Sequence, residues 1–303
     1  MIPLWLGVTL SAALFQCWRT ALQQRLRGML SVNAAAVTRY LYGVPVGAAL
    51  LAGYAAATGQ MPPAIDGLGF LGLAALGGLL QILGTNALIM SFGSRGFTVG
   101  TAYAKTEAMQ AAFLALLLLG ENLSPLSWFG IAVGIFGVLY LTLAGRALTP
   151  ASIWAATRQP AALFGLLAGA GFALTSIAIK SANLRLDHPD AVLRSLVVVV
   201  VVNLMQTVMQ GGWLLARERG EAARVLASWR VSWRVGALSS IGSACWFTGF
   251  ALAPIALVRA VGQTEMIFTL LFSRFYLNEP WKRTDVIGAL VVVLGVVLVL
   301  AGR

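Results

Sequence analysis

Three ionisable residues lie deep within long apolar runs of this sequence: Lys105, Glu107 and Glu265. A charged side chain at membrane depth is costly, and it usually faces a cavity or a partner. The two carboxylates can carry a proton or meet a ligand ammonium group, and Lys105 can meet a ligand carboxylate. The alternative for each residue is a purely structural ion pair or hydrogen bond.

Residues two apart on a helix point about 200° away from each other. Lys105 and Glu107 therefore cannot both face the same cavity squarely, and Glu107 shares a face with Tyr103 and Gln110. We expect one of the two charges to line a pathway and the other to tie its helix to a neighbour. Gln263, just before Glu265, is expected near the same centre.

Other helices offer further polar and aromatic candidates for a pathway: Gln16, Arg19, Gln81, Ser243 and Trp246. For these positions, hydrogen bonding between helices is the structural alternative. Arg39 and Arg194 lie near predicted helix starts. They are expected to snorkel or to cap a helix end rather than to bind a ligand.

Long apolar segments must hold these residues, because 59% of the 303 residues are hydrophobic and only 10% are charged. An average soluble domain has about 25% charged residues, so a water-facing surface is excluded. The period-two alternation of a membrane barrel is absent, which favours helices. The sequence predicts an all-α membrane protein with ten transmembrane helices at about 3–24, 33–57, 68–92, 96–119, 125–145, 160–182, 190–216, 233–252, 256–277 and 283–301.

The two halves of the sequence resemble each other. A shift of 158 positions lays Thr106-Glu107 on Thr264-Glu265, Glu121 on Glu279, Gly130 on Gly288 and Gly137 on Gly295. Since each half has five helices, an odd number, the second half must be inverted in the membrane. We predict a first repeat at 1–146, a connecting loop at 147–159 and a second repeat at 160–303.

The repeated motif resembles the end of an EamA-type repeat. Its first copy comprises Lys105-Thr106-Glu107, Leu119-Gly120-Glu121-Asn122-Leu123, Gly130 and Gly137; its second copy comprises Gln263-Thr264-Glu265, Leu277-Asn278-Glu279-Pro280, Gly288 and Gly295. The resemblance implies the drug/metabolite transporter superfamily, with a YddG-like amino-acid exporter as one member type. It further implies ten helices, a central cavity between the halves and alternating access.

These features predict secondary active transport of a small metabolite, with amino-acid efflux as the leading interpretation. Alternatives are an importer or exchanger of another solute, such as a choline-like amine or a phosphorylated metabolite, a channel, or an intramembrane enzyme. There is no P-loop and no HExxH motif, so neither ATP-driven transport nor zinc hydrolysis is expected. We expect no cofactor and no metal. The expected partners are a small-molecule substrate, membrane lipids and a coupling proton.

Positive residues predict the orientation and the remaining partners. With the N-terminus outside, cytoplasmic loops hold 13 lysines and arginines, and the opposite side holds Arg185, Arg259 and Arg303. This bias predicts both termini outside an inner (plasma) membrane, whereas the family resemblance implies both inside. In segment 217–234, the apolar residues Val225, Leu226, Trp229 and Trp233 are expected on one face and arginines on the other, so that the segment rests on an anionic leaflet. The basic residues are too scattered for a nucleic-acid surface, and a monomer is expected.

Overall fold

The computed structural model describes residues 3–26, 28–65, 67–91, 103–143, 158–276 and 282–302. All regular secondary structure within these ranges is helical, which confirms the predicted all-α class. Most of the predicted connection at 147–159 lies outside the described residues, as does Glu279 of the repeated motif.

Fourteen α-helices occur in the described part of the chain, with a π-helical stretch at Thr207–Gly211 between α8 and α9. Their bounds are α1 Leu4–Leu26, α2 Val32–Leu41, α3 Gly43–Thr58, α4 Gly67–Met90, α5 Glu107–Leu119, α6 Pro125–Leu143, α7 Pro160–Asn183, α8 Ala191–Gln206, α9 Gly212–Arg217, α10 Arg219–Ala227, α11 Trp229–Leu252, α12 Ile255–Gly262, α13 Glu265–Tyr276 and α14 Arg283–Ala301.

The helices form two compact units. The first unit comprises Met1–Ile82 and Ala178–Ala253, and the second comprises Leu83–Ile177 and Pro254–Arg303. Each unit takes residues from both predicted repeats, and helices α4 and α7 each contribute one part to either unit.

Seven segments of the described chain are long and apolar enough to cross a membrane: Val32–Thr58, Gly67–Leu88, Pro160–Asn183, Ala191–Arg217, Trp229–Leu252, Ile255–Phe272 and Arg283–Ala301. Shorter apolar helices occur at Glu107–Leu119 and Pro125–Leu141. These segments are consistent with the predicted multi-pass membrane protein. The count of ten spans stays a prediction.

Capping contacts set several helix starts in the first unit. The Ser31 hydroxyl accepts a hydrogen bond from the Ala34 amide at 3.2 Å and so caps α2. The same hydroxyl donates to Glu218 Oε2 at 2.7 Å, and the Ser31 amide donates to Glu221 Oε2 at 2.7 Å. The start of α2 is therefore bound to α10 and its N-cap. At α8, the Asp190 carboxylate caps the first turn.

Helix α10 and the start of α11 form the predicted interfacial segment. Val225 is only 2% exposed and packs in a core cluster with Leu214 and Val235, so its predicted place on the outer apolar face is wrong. Neighbouring helix residues point about 100° apart, and Val225 faces the core while the next residue faces outward. The outer apolar face consists of Leu226, Trp229 and Trp233.

Helices α6 and α14 of the second unit pack through glycines. A Cβ atom at Gly295 would lie 2.5 Å from the Gly134 backbone, and one at Gly130 would lie 2.8 Å from the Gly295 carbonyl oxygen. Farther along, a Cβ at Gly288 would lie 3.3 Å from the Gly137 carbonyl oxygen. The repeat alignment equates Gly130 with Gly288 and Gly137 with Gly295. The two contacts therefore join the aligned positions reciprocally, Gly130 with Gly295 and Gly288 with Gly137.

Candidate functional site

The candidate site is built on two interrupted helical segments. Helix α5 begins at Glu107 and α13 begins at Glu265, each directly after a two-residue turn. Both turns have the same hydrogen bonds: Thr106 Oγ1 donates to the Tyr103 carbonyl at 2.6 Å, and Thr264 Oγ1 donates to the Val261 carbonyl at 2.8 Å. The two turns are equivalent in the predicted repeat. The repeated Thr-Glu pair thus marks a helix restart.

This turn overturns the predicted separation of Lys105 and Glu107. The expectation assumed a continuous helix, but Lys105 lies in the turn and Glu107 is the first residue of α5. Both side chains therefore reach one ionic cluster. In it, Lys105 Nζ lies 3.1 Å from Glu265 Oε2, and Arg259 Nη1 lies 2.6 Å from Glu107 Oε1.

The ionic cluster consists of two cations and two carboxylates in the second unit: Lys105, Arg259, Glu107 and Glu265. Its side chains are between 14% and 22% exposed. Burying an ion without a counter-ion costs several kcal/mol, and here each charge has an opposite partner. The cluster can therefore exist at membrane depth as a neutral set.

Arg259 is the site residue that the sequence analysis missed. It was assigned to a loop on the outer side, but it lies on α12, within the apolar segment Ile255–Phe272. Only two residues, Ala253 and Pro254, separate α11 from α12. The connection is therefore too short to be a loop that contains Arg259. The sequence did contain a signal for this position: Arg259 follows the apolar residues 255–258, directly after the proline.

Arg259 is firmly anchored, which distinguishes it from Lys105. Its Nε and Nη2 donate to Ser176 Oγ at 2.9 and 2.5 Å, and its Nη2 also donates to the Phe172 carbonyl at 3.1 Å. Glu121 Oε2 accepts a hydrogen bond from the Ile255 amide at 2.8 Å and so fixes the start of α12. The pair of Arg259 with Glu107 is therefore held by surrounding structure.

Gln263 lies beside the cluster. It is 8% exposed, and its Nε2 donates to the Lys105 carbonyl at 3.4 Å. Its Oε1 is buried and has no hydrogen-bond partner in the described part of the chain. Tyr103, the neighbouring predicted site residue, is half-buried and is joined to the cluster through the turn that its carbonyl closes.

The other predicted site residues belong to the first unit. Trp246 Nε1 donates to Gln16 Oε1 at 3.1 Å and so joins α11 to α1. Gln81 Oε1 accepts from Gln206 Nε2 at 2.8 Å, which joins α4 to α8. Both contacts are hydrogen bonds between helices, the role given above as the alternative to lining a pathway. The last two candidates, Arg19 on α1 and Ser243 on α11, are half-buried.

Comparison with known proteins adds a family and a fold. Residues 159–301 match the sequence profile of the EamA-like transporter family. This stretch includes Arg259, Gln263 and Glu265, and the predicted resemblance is confirmed over this part of the chain. Transport across a membrane is the activity that the match supports.

No curated protein matches the sequence. A solved structure called only "Crystal structure of protein" is similar with a TM-score of 0.73 and 17% sequence identity, over 99% of this chain and 97% of that chain. At this identity the likeness shows a shared fold alone.

Proposed function

We propose that the protein is a secondary transporter of a small zwitterionic metabolite, and that it exports amino acids across a bacterial-type inner membrane by alternating access. The observation that carries this proposal is the neutral ionic cluster. Charges within apolar helical segments usually serve a pathway or a partner. Four of them, from segments distant in the sequence, meet in one place here.

The two ion pairs have different roles in this proposal. Arg259 and Glu107 form the fixed pair, because the guanidinium also donates hydrogen bonds to Ser176 and Phe172 of α7. Lys105 and Glu265 form the exchangeable pair, because the Lys105 ammonium, 3.1 Å from Glu265 Oε2, has none of the extra hydrogen bonds that hold Arg259 in the described part of the chain. A zwitterionic substrate can replace the contact between these two residues. Its carboxylate then binds the Lys105 ammonium, and its ammonium binds the Glu265 carboxylate. The net charge of the site stays zero in both states.

A proton can be coupled at the same position. A carboxylate that loses its cation partner binds a proton more readily. When substrate leaves Glu265 before the ion pair reforms, this residue can take up a proton from one side and release it to the other. The exchangeable pair thereby links substrate binding to proton binding.

We also propose that the fold consists of two inverted five-helix repeats. Two observations support it: the matching turns before Glu107 and Glu265, and the reciprocal glycine contacts of α6 and α14. Alternating access in transporters with inverted repeats is largely a rocking or gating of one repeat or bundle against the other around a fixed site.

Counterflow in proteoliposomes tests the substrate class. Vesicles loaded with unlabelled amino acids, choline-like amines or sugar phosphates are mixed with the corresponding labelled compound. We expect uptake with amino acids, and about a 30-fold loss in Lys105→Gln, since this change leaves one charge of the pair unpartnered. Arg274→Gln, at an exposed position of α13, is the matched control. Uptake of only amines or sugar phosphates would contradict the proposal.

A further inference from the structure

Arg39 of α2 is a buried cation without a counter-ion in the described part of the chain. It is 6% exposed, although it was expected to snorkel to the surface. The ion pairs in this part of the chain involve Lys105, Arg224 and Arg259. Its hydrogen bond to a described residue runs from Nε to Ser239 Oγ at 3.3 Å.

The hydrogen bond to Ser239 leaves most donors of the Arg39 guanidinium without an acceptor among the described residues. A guanidinium has five N–H donors and no acceptor, and one hydroxyl oxygen cannot satisfy it. The Tyr40 ring centroid lies 5.4 Å from Arg39 Cζ. The Tyr40 hydroxyl is buried and has no hydrogen-bond partner among the described residues. A cation and a hydroxyl donor are thus both buried, and no anion in the described part of the chain accepts from them.

Arg259 is a buried arginine of the same chain whose charge and hydrogen-bond donors have partners. It has Glu107 as a counter-ion and a hydroxyl and a carbonyl as further acceptors. An arginine of similar burial that lacks all but the hydroxyl should be destabilising, because an unpaired buried charge is costly. A ligand that supplies the missing negative charge removes this cost.

We infer that Arg39 is the centre of an oxyanion site in the first unit, and that its ligand is the carboxylate of a small molecule. A guanidinium fork matches the two oxygens of a carboxylate. One negative charge neutralises one arginine, whereas a phosphate dianion leaves a charge uncompensated. The site involves α2 and α11 and shares no residue with the ionic cluster. It stands whether or not the proposed transport function holds.

Thermal unfolding of the purified protein in neutral detergent tests this inference. The probes are butyrate, its uncharged analogue butyramide, and inorganic phosphate, each at constant ionic strength. A ligand that binds the native state raises the melting temperature with its concentration. We expect butyrate to raise it and butyramide to leave it unchanged.

Variants assign the effect to Arg39. Arg39→Met should abolish the shift with butyrate, and Arg39→Lys should weaken binding while retaining part of it, because a lysine keeps the charge but not the fork. Arg185→Met removes an exposed cation of the same unit and should respond like the unaltered protein. Without ligand, Arg39→Met should melt no lower than the unaltered protein. If Arg39 had a structural role instead, this variant would melt at a clearly lower temperature.

Three results would overturn the inference: equal shifts with butyrate and butyramide, no shift with either, or a butyrate shift that survives in Arg39→Met. A shift with phosphate alone would overturn the carboxylate assignment. If Arg39→Met does not fold, the comparison of butyrate with butyramide and the response of Arg39→Lys decide the matter.

Discussion

Arg259 and Glu107 form a buried ion pair, with Nη1 and Oε1 2.6 Å apart, between α12 and the first residue of α5. Removing one partner of a buried pair strands the other charge and costs about 3–5 kcal/mol. We expect Arg259→Gln and Glu107→Gln each to lower the melting temperature strongly. The double variant should melt higher than the sum of the single effects predicts, because neither charge is then stranded. Thermal unfolding of the four proteins measures this coupling, and strictly additive losses would contradict it.

Because α6 packs closely on α14, alanine substitutions at two glycines that meet should affect stability to different degrees. A Cβ at Gly295 would lie 2.5 Å from the Gly134 backbone, whereas a Cβ at Gly134 would have its nearest neighbour at 4.0 Å. Gly295→Ala should therefore destabilise by about 1–3 kcal/mol, the usual cost of overpacking. Gly134→Ala is the matched control and should melt close to the unaltered protein. Similar melting temperatures for the two variants would contradict this packing.

Asp190 predicts acid sensitivity outside the membrane-spanning segments. Burial raises the pKa of its carboxyl, but hydrogen bonds from the Leu193 amide, the Tyr54 hydroxyl and the Val192 amide outweigh this effect and lower the pKa below 3.8. Since the folded pKa is below the unfolded one, the stabilisation is complete above the unfolded value and is lost as the pH falls through the folded value.

Asp190→Ala should therefore cost about 1 kcal/mol at neutral pH, the typical value of a helix N-cap. Asp190→Asn keeps the cap and should retain most of the stability at neutral pH. Melting temperatures measured from pH 7 to pH 3 check both points. The difference between the unaltered protein and Asp190→Ala should shrink only below about pH 4, and a difference independent of pH would contradict the role of the charge.

The orientation of the chain is a further prediction. The predicted loops hold 13 lysines and arginines on one side and three on the other, and this bias favours both termini outside. Alkaline phosphatase fused after Arg303 should be active, and green fluorescent protein fused there should be dark. A bright fluorescent fusion would reverse the orientation and leave the fold unchanged.

The sequence predicted the helical class well, because apolar runs longer than about 18 residues report directly on membrane-spanning helices. It also predicted that Lys105, Glu107, Gln263 and Glu265 belong to one region, since the repeat aligns them. It did not predict the turns at Thr106 and Thr264. A threonine that bonds to the carbonyl three residues earlier is compatible with a continuous helix, so the pattern alone does not show the interruption.

Arg259 and Arg39 were misplaced for a related reason. Arg259 was placed in a loop, and Arg39 near a helix start, where an arginine usually snorkels to the surface. In the structure each lies in the last turn of its helix, α12 and α2 respectively. Tertiary contacts decide otherwise, with Glu107 pairing the first and Ser239 contacting the second. Such partners are distant in the sequence and cannot be read from local spacing.

Transport driven by a pH gradient in Glu265→Gln and Glu107→Gln tests the central claim most directly, because both changes preserve shape but abolish titration. In proteoliposomes, Glu265→Gln should fold, retain some amino-acid exchange and lose its response to the gradient. Glu107→Gln should mainly lose thermal stability, since Glu107 belongs to the fixed pair. If Glu265→Gln is stable and transports with full dependence on the pH gradient, the exchangeable pair is not the coupling site, and the account is wrong at its centre.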